Sequence, residues 1–341
     1  MKYNAIDLFS GCGGLTQGLK DASFKVLGAV EIAPKARETF ARNHPDVKLI
    51  GADIRDLTVK QVIAACQIGV GELDLLAGCP PCQGFSTLRS RNRKKAIPDA
   101  RNDLVDDFSR LARGLRPKLV MMENVPALAR YSKFKLFVTE LERIGYAVRI
   151  EVLNVGDFGV PQSRKRLILS ASRIGAPKLA RPGFPIRTVR ETIGQLPKAG
   201  SSGDELHDKT CGPRSPRVQA MIAAIPKNGG SRRSLPKKFR LSCHSRTTGY
   251  NDVYGRMRWD KPSPTITSGC HNPSKGRFIH PEEDRPITLR EAALLQGFPW
   301  HYQFLMEHGK EAIALMIGNA LPPPFIAAHS RAMVQGLEDG N

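Results

Sequence analysis

The sequence predicts an α/β protein built on a doubly wound, mostly parallel sheet, with a second, smaller and irregular domain. In the first half, short apolar runs alternate with amphipathic segments, which is the pattern of successive β-α-β units. Near Arg173 this alternation stops, and a stretch rich in Gly, Pro and Ser follows before helical sequence returns near Leu289. We therefore expect residues 1–175 plus 287–341 to form the sheet domain and residues 176–286 to form the smaller one.

The individual elements follow from the period and the boundaries of the apolar runs. Short apolar runs between turn residues predict strands at Tyr3–Phe9, Val26–Ile32, Val47–Ile50, Leu73–Ala77, Leu119–Glu123, Val148–Val155 and Arg166–Ser170. Amphipathic segments predict helices at Gly14–Ala22, Pro34–Asn43, Thr58–Gln67, Asp103–Leu115, Phe134–Ile144, near Leu289 and at Pro322–Gly336. Sheets of this kind bind ligands beyond the carboxyl ends of their strands, so polar side chains at those ends are the candidates for function.

The composition excludes several classes of protein. The chain has 341 residues, with 52 Lys and Arg against 32 Asp and Glu, and a formal net charge of +20. Its apolar runs are too short for the ~20 residues of a membrane span, and its start lacks a signal-peptide pattern. Seven scattered cysteines indicate reduced thiols. We expect a cytoplasmic protein with no membrane contact. The excess of positive charge predicts a polyanionic partner such as nucleic acid, and the alternative is a basic protein that is merely soluble.

The positive charge is concentrated in two segments. Between Ala171 and Thr265 there are 19 Lys and Arg but only 6 Asp and Glu, which accounts for +13 of the total. A second basic run, Arg89–Lys95, lies within a polar loop. A charge run is usually a solvated face, so the two segments indicate a nucleic-acid surface only if folding brings them together.

A glycine-rich turn follows the first predicted strand. The segment Asp7–Leu15 reads Asp-Leu-Phe-Ser-Gly-Cys-Gly-Gly-Leu, and such a turn lets backbone and a helix N-terminus approach an anion. Glu31 ends the second strand about 20 residues further on, where a carboxylate can accept both ribose hydroxyls. Asp53 ends the third strand, within reach of an adenine amino group. A nicotinamide cofactor and S-adenosylmethionine both fit this pattern, and Glu31 and Asp53 as ordinary loop acids remain the alternative.

A cysteine loop follows the fourth predicted strand. Cys79 and Cys82 form a C-x-x-C, which is typical of a redox pair or half a zinc site, but the other cysteines are isolated and we expect no metal. The alternative is one nucleophilic thiolate on a loop stiffened by two prolines. Glu123 ends the neighbouring strand, where a buried carboxyl could stay protonated and act as an acid. A thiol and an acid opposite a methyl donor suggest attack on an electron-poor ring.

Taken in order, these motifs resemble those of the C5-cytosine DNA methyltransferases, in their standalone bacterial or phage form, over nearly the whole chain. The matching segments are Asp7–Leu15, Glu31, Asp53-Ile54, Pro81-Cys82-Gln83, Glu123-Asn124-Val125, Gln162–Arg166, Arg290–Pro299 and Gly318-Asn319-Ala320. Each is weak alone, but all eight in the family's order are specific, with a long basic segment between Gln162–Arg166 and Arg290–Pro299, which resemble the family's eighth and ninth motifs. The resemblance implies the S-adenosylmethionine-dependent methyltransferase fold, with residues 176–286 as a target-recognition domain. A nicotinamide oxidoreductase would leave the cysteine loop and the basic insert unexplained.

The resemblance also implies a role for each candidate residue. Cys82 would attack C6 of a flipped cytosine, and Glu123 would hold and protonate N3. Arg164 and Arg166 would position the base and the nucleophile. Residues expected at S-adenosylmethionine are Phe9, Gly11, Gly13, Gly14, Leu15, Glu31, Ile32, Asp53, Ile54 and Asn319. Residues expected at the DNA are Gln83, Ser86, Arg89, Arg91 and Thr265. In the insert, the residues expected to contact phosphates are Arg232, Arg233, Lys237, Lys238 and Arg240. The residues expected to read bases are Arg246, Arg256 and Arg258.

The function implied is transfer of a methyl group to C5 of cytosine in a specific double-stranded DNA sequence. The protein is expected to act as a monomer in the bacterial cytoplasm, and a cognate restriction endonuclease would act separately. Two alternatives stay open: an RNA cytosine-C5 methyltransferase, and a catalytically silent DNA-binding regulator. No motif identifies the recognition sequence, because base readout depends on which side chains reach which base edges.

Overall fold

A computed structural model describes residues 3–81, 104–212, 214–236, 239 and 252–339. The chain divides into two compact units: the first comprises Met1–Phe158, Lys165–Gly183 and Leu321–Asn341, and the second Gly159–Arg164 and Phe184–Ala320. The second unit therefore includes residues 287–320, which the sequence assigned to the sheet domain. Hydrogen bonds explain this difference, because Leu289 N donates to Thr210 Oγ1 (3.0 Å) and Arg290 Nε donates to Asp204 Oδ2 (2.6 Å).

Within the described residues of the first unit, seven strands form one sheet in the order β3-β2-β1-β4-β5-β7-β6. Strands β1 to β5 pair in parallel, whereas β7 runs antiparallel to both of its neighbours. This confirms the predicted doubly wound, mostly parallel sheet, whose strand order reverses between β1 and β4. The strands are β1 Tyr3–Leu8, β2 Phe24–Val30, β3 Lys48–Gly51, β4 Leu75–Gly78, β5 Leu119–Asn124, β6 Ala147–Asn154 and β7 Lys165–Ser172.

The helices in the described parts of the chain include every segment that the sequence predicted, with ends shifted by at most three residues. Four helices, α6 to α8 and α10, were not predicted: α6 and α7 have only five and four residues, α8 lies in the stretch rich in Gly, Pro and Ser, and α10 lacks a clear polar face. The helices are α1 Gly14–Asp21, α2 Pro34–Asn43, α3 Val59–Cys66, α4 Leu104–Leu115, α5 Ser132–Arg143, α6 Val189–Ile193, α7 Glu205–Asp208, α8 Pro216–Ala223, α9 Leu289–Gln296, α10 Lys310–Asn319 and α11 Pro323–Asp339.

The central strands β4 and β5 are buried along their whole length. Strands covered on both faces read as continuous apolar runs, which is why the sequence located them without an alternating pattern. β5 nevertheless ends in two polar residues, Glu123 and Asn124, each 1% exposed. β4 ends at Gly78, where a Cβ atom would lie 2.5 Å from the carbonyl oxygen of Leu8. The segment leading to the cysteine loop thus leaves the sheet in close contact with β1.

The smaller elements of the second unit surround a separate apolar cluster. Its members are Met221, Ile222, Ile225, Leu235, Tyr254 and Ile279.

Residues 310–338 are long and apolar enough to cross a membrane by length and composition, but 72% of their most apolar window is buried inside the protein. The helical run is also broken between Asn319 and Pro323, and such burial is typical of core helices.

The C-terminal helix α11 packs on α1 through a glycine. A Cβ atom at Gly18 would lie 2.6 Å from the carbonyl oxygen of Pro323 and 2.6 Å from Cβ of Ile326. Gly336, also on α11, has room for a side chain, since its Cβ would be 3.8 Å from the nearest atoms of Lys178. The absence of a side chain at Gly18 therefore sets how closely α11 approaches the helix that begins at the glycine-rich turn.

These two glycines provide a matched test of this packing. We expect Gly18→Ala to lower the free energy of unfolding by about 1–3 kcal/mol, because the methyl group forces the two helices apart. Gly336→Ala should raise it by about 0.5–1 kcal/mol, since alanine loses less backbone entropy in a helix. Urea denaturation followed by circular dichroism measures both. Equal effects of the two substitutions would contradict the close approach at Gly18.

Candidate active site

The glycine-rich turn between β1 and α1 has an unusual backbone. Phe9, Gly11 and Gly13 all have positive φ, of 65°, 56° and 100°. A Cβ atom at Gly11 would meet nothing within 4 Å, so the space beside the turn is open. The first turn of α1 contains no acidic residue, which leaves its N–H groups suited to an anion. Gly14 and Leu15 are buried, so they could face a ligand only through their backbone.

Glu31 is fixed against this turn at the end of β2. Its Oε2 accepts a hydrogen bond from Gly11 N (2.8 Å), and its Oε1 accepts one from Ala33 N (2.8 Å). Each carboxylate oxygen has a further lone pair, so the oriented group can still accept two hydroxyl donors. The next side chain, Ile32, is 58% exposed, an apolar surface that a planar ring could cover.

The loop after β3 is held by an arginine from α4. Arg110 Nη1 donates to Leu57 O (2.8 Å), and its Nη2 donates to Ile54 O (2.8 Å) and to Asp107 Oδ1 (3.0 Å). The side chain of Ile54 is buried. Asp53 accepts hydrogen bonds from the guanidinium of the exposed Arg55, which lower the pKa of Asp53. The sequence pointed to Asp53 and Ile54 but not to Arg110, because its carbonyl partners on the loop lie more than 50 residues away.

Three buried polar side chains, those of Asp7, Thr16 and His44, support the turn. Thr16 Oγ1 donates to Asp7 Oδ2 (2.6 Å), which ties α1 to β1. Burial raises the pKa of Asp7 to about 8, so its carboxyl is protonated at neutral pH. Burial also lowers the pKa of His44 to about 4, although a hydrogen bond to the backbone of Gly13 opposes this shift. The neutral forms of both groups therefore carry the turn, and a carboxyl inside an apolar strand was the only sequence signal for them.

Glu123 lies at the carboxyl end of β5, where its carboxyl contacts the side chains of Arg166 and Cys79. Arg166 Nε lies 2.9 Å from Glu123 Oε1, and Cys79 Sγ donates to Glu123 Oε2 at 3.2 Å. The next residue, Asn124, donates from Nδ2 to Pro80 O (2.9 Å). The backbone just ahead of Cys82 is thus fixed against β5. The predicted site residues Cys82, Gln83, Ser86, Arg89 and Arg91, and the insert residues Lys237, Lys238, Arg240 and Arg246, lie outside the described residues.

Arg164, predicted beside the base, belongs to the second unit. It is buried, and its Nη1 donates to Gly318 O (3.2 Å), Ile266 O (3.4 Å) and Gln296 Oε1 (3.4 Å). These bonds give Arg164 a structural function, and its contact with the base stays a prediction. Asn319, predicted at the cofactor, is exposed at the last position of α10.

Two glutamines join separate motifs within the second unit. Gln162 Oε1 accepts from Ile266 N (3.0 Å), and its Nε2 donates to Gln296 Oε1 (2.7 Å). Gln296 in turn donates from Nε2 to Ala320 O (2.5 Å). Thr265, predicted near the DNA, donates from Oγ1 to Ser163 O (2.9 Å). The motif segments Gln162–Arg166, Arg290–Pro299 and Gly318–Ala320 therefore converge on one buried network, which their spacing in the sequence did not reveal.

The prediction that Arg256 reads bases is wrong. Its side chain is fully buried, and its five N–H donors are directed at protein oxygens. The acceptors are the carbonyl oxygens of Ile222, Ile225, His280 and Glu283 and the carboxylate of Asp284. Arg232, predicted on phosphate, is also largely buried. Arg258 is exposed beside Asp260, so its predicted contact with DNA stays open.

Comparisons with known proteins agree with this arrangement. A family model described as C-5 cytosine-specific DNA methylase matches residues 3–335. The chain is 36% identical to the Type II methylase M.HgiDII of Herpetosiphon aurantiacus, over 98% of this chain and 96% of that protein. It is 34% identical to the Type II methyltransferase M1.HphI of Haemophilus parahaemolyticus, over 98% and 87%.

Solved structures show the same fold. A prophage-encoded protein of E. coli superimposes with a TM-score of 0.74 at 24% identity, over 99% of this chain and 100% of that chain. The Dnmt2 methyltransferase of S. pombe gives a TM-score of 0.62 at 17% identity, over 98% and 99%. The sheet order, the motifs and the family match lead to one conclusion: this chain belongs to the C-5 cytosine-specific DNA methylase family.

Proposed function

We propose that the protein transfers a methyl group from S-adenosylmethionine to C5 of cytosine in a specific double-stranded DNA sequence. The observation that carries this proposal is the buried carboxyl of Glu123, held between Arg166 and Cys79 at the end of β5. A buried carboxyl beside a cysteine loop is suited, once it carries a proton, to donating that proton to a ring nitrogen while a thiolate adds to the ring.

The residues around the glycine-rich turn fit S-adenosylmethionine. The oriented carboxylate of Glu31 suits a ribose diol, and the exposed Ile32 and half-buried Phe9 suit the faces of an adenine ring. The N-terminus of α1 and the open space at Gly11 suit the carboxylate of the methionine part. Asp53 would turn from Arg55 to the adenine amino group, with Ile54 beneath it, and Asn319 would support the methionine end. S-adenosylmethionine supplies the electrophilic methyl group.

In the proposed reaction, the thiolate of Cys82 forms a bond to C6 of the cytosine. Glu123 donates a proton to N3, so the electron pair displaced from the C5–C6 bond makes C5 nucleophilic. C5 would then take the methyl group, which leaves the cofactor as a thioether. A base would remove the C5 proton as the bond between Cys82 and C6 breaks, and N3 would return its proton to Glu123, which restores the ring. Arg166 holds the carboxyl of Glu123 during these steps, and Arg164 would help to position the base. The base must leave the duplex, because its faces are inaccessible in the stack.

The insert of residues 176–286 would recognise the DNA. Its positive charge and that of Arg89–Lys95 would neutralise phosphates, with Gln83, Ser86 and Thr265 near the flipped nucleotide. Because the similar proteins of H. aurantiacus and H. parahaemolyticus are named Type II methylases, we further propose a role in a restriction-modification system, where a separate endonuclease would cut the unmethylated site. The enzyme would act as a monomer in the cytoplasm.

Methyl transfer can be measured directly with S-adenosylmethionine labelled with tritium in the methyl group. We expect label to enter double-stranded DNA with the wild-type protein. Cys82→Ser should lower the rate by about three orders of magnitude or more, because it removes the nucleophile. Glu123→Gln should lower it by about 10²-fold or more, because an amide cannot supply the N3 proton. Transfer to tRNA but not to DNA, or full activity of Cys82→Ser, would contradict the proposal.

Arg110 provides a test of the cofactor site that leaves the proposed catalytic residues Cys82 and Glu123 unchanged. We expect Arg110→Met to raise the KM for S-adenosylmethionine by roughly tenfold, because the loop that carries Asp53 and Ile54 loses two charge-assisted hydrogen bonds. The kcat should stay within about twofold of wild type. Arg113→Met is the matched control, since Arg113 lies on the same helix and pairs only loosely with Glu140 (3.5 Å). An unchanged KM in a folded Arg110→Met protein would exclude this function of Arg110.

A further inference from the structure

Cys79 is fixed beside Glu123 by its own backbone neighbours. Gly78, the residue before it, is paired with both Leu8 of β1 and Met122 of β5. Cys79 N donates to Leu8 O at 3.4 Å, and the carbonyl of Pro80 accepts a bond from Asn124. The chain is therefore held on both sides of Cys79, and the position of the thiol follows from the sheet.

The thiol and Arg166 contact different oxygens of the same carboxyl. Arg166 lies at Oε1 and Cys79 Sγ lies 3.2 Å from Oε2. Glu123 is 1% exposed, so protein groups, these two side chains among them, set the orientation of its carboxyl plane rather than bulk water. Two other thiols of the described residues are placed differently: Cys12 and Cys270 are buried in the core, where burial raises the pKa of each to about 12.

The two neighbours differ in what they allow the carboxyl to do. A guanidinium has N–H donors and no acceptor, so a proton on Oε1 would find no acceptor in Arg166. A thiol is a weak donor and a weak acceptor, so it tolerates Oε2 both with and without a proton. The proton that Glu123 gives to the base is therefore best accommodated on Oε2, next to Cys79.

On the basis of the proposed function, we propose that Cys79 is a positioning residue for the acid of the reaction. Its thiol orients Oε2 of Glu123 and changes from donor to acceptor as that oxygen gains a proton. Arg166 anchors the other oxygen in both states. The first cysteine of the C-x-x-C thus acts on Glu123, whereas the second attacks the base.

Substitution of Cys79 separates this function from simple packing. Cys79→Ala should lower kcat about five- to twentyfold, with little change in the KM for S-adenosylmethionine, because the glycine-rich turn is untouched. A hydrogen bond to a carboxylate favours its charged form, so removing the thiol raises the pKa of the acid. The alkaline limb of the pH profile of kcat, where the proton of Glu123 is lost, should move to higher pH by about half a unit or more. Cys79→Ser, which keeps a group that donates and accepts, should restore much of the rate and move the limb back.

A second cysteine serves as the matched control. Cys211 is also half-buried and also donates to an oxygen, that of Pro286 (3.1 Å), but it lies in the second unit. Cys211→Ala should leave kcat and the pH profile unchanged. Cys79→Val, which fills the volume of the thiol without a donor, should behave as Cys79→Ala and serves in its place if the alanine protein is unstable.

The outcomes distinguish this inference from the proposed function. A wild-type protein that does not methylate DNA would overturn the proposed function and the inference together. With active wild type, a wild-type kcat and pH profile in Cys79→Ala and Cys79→Val would overturn only the inference. Equal losses in the serine and alanine proteins, with no shift of the alkaline limb, would also overturn it, because they would show that the thiol only fills space.

Discussion

The buried ion pair of Glu123 and Arg166 is the constraint on which the catalytic side of the first unit depends. Removing a carboxylate from water costs several kcal/mol unless a partner compensates, and leaving one partner alone is more costly still. Arg166 reaches Glu123 because β7 inserts antiparallel beside β5, with Asn124 opposite Leu167 and Glu123 opposite Ile168. The antiparallel strand β7 thus places the guanidinium of Arg166 at the carboxyl end of β5.

The cofactor side of the sheet depends on backbone geometry rather than on charge. The positive φ angles at Gly11 and Gly13 turn the chain so that Glu31 can bind a backbone N–H across the turn. Asp7 and His44 support this turn in their neutral forms, so neither of them places a buried charge beside it at neutral pH. The order of the strands reverses between β1 and β4, which is where sheets of this class leave space for a ligand.

The fold could be predicted from the sequence because the evidence for each strand and helix is local. Apolar runs located β4 and β5 without any knowledge of their neighbours, and the motifs located Glu31, Asp53 and Glu123. The partners of these residues could not be predicted, because pairs such as Cys79 with Glu123 or Gln162 with Gln296 are set by tertiary register. Arg256 could not be placed correctly for the same reason. A basic insert predicts a cationic surface, but its composition does not tell which arginine is instead buried and hydrogen-bonded to backbone carbonyl oxygens.

The central claim is that the site methylates C5 of cytosine in a defined DNA sequence. Bisulfite sequencing of plasmid DNA incubated with the protein and S-adenosylmethionine tests it most directly, because it reports the base, the position of the methyl group and the context together. The account predicts cytosines protected from conversion at one position within one short recurring sequence, and none when S-adenosylmethionine is omitted. If bisulfite converts every cytosine of DNA that was incubated with a folded protein able to bind S-adenosylmethionine and DNA, the account is contradicted.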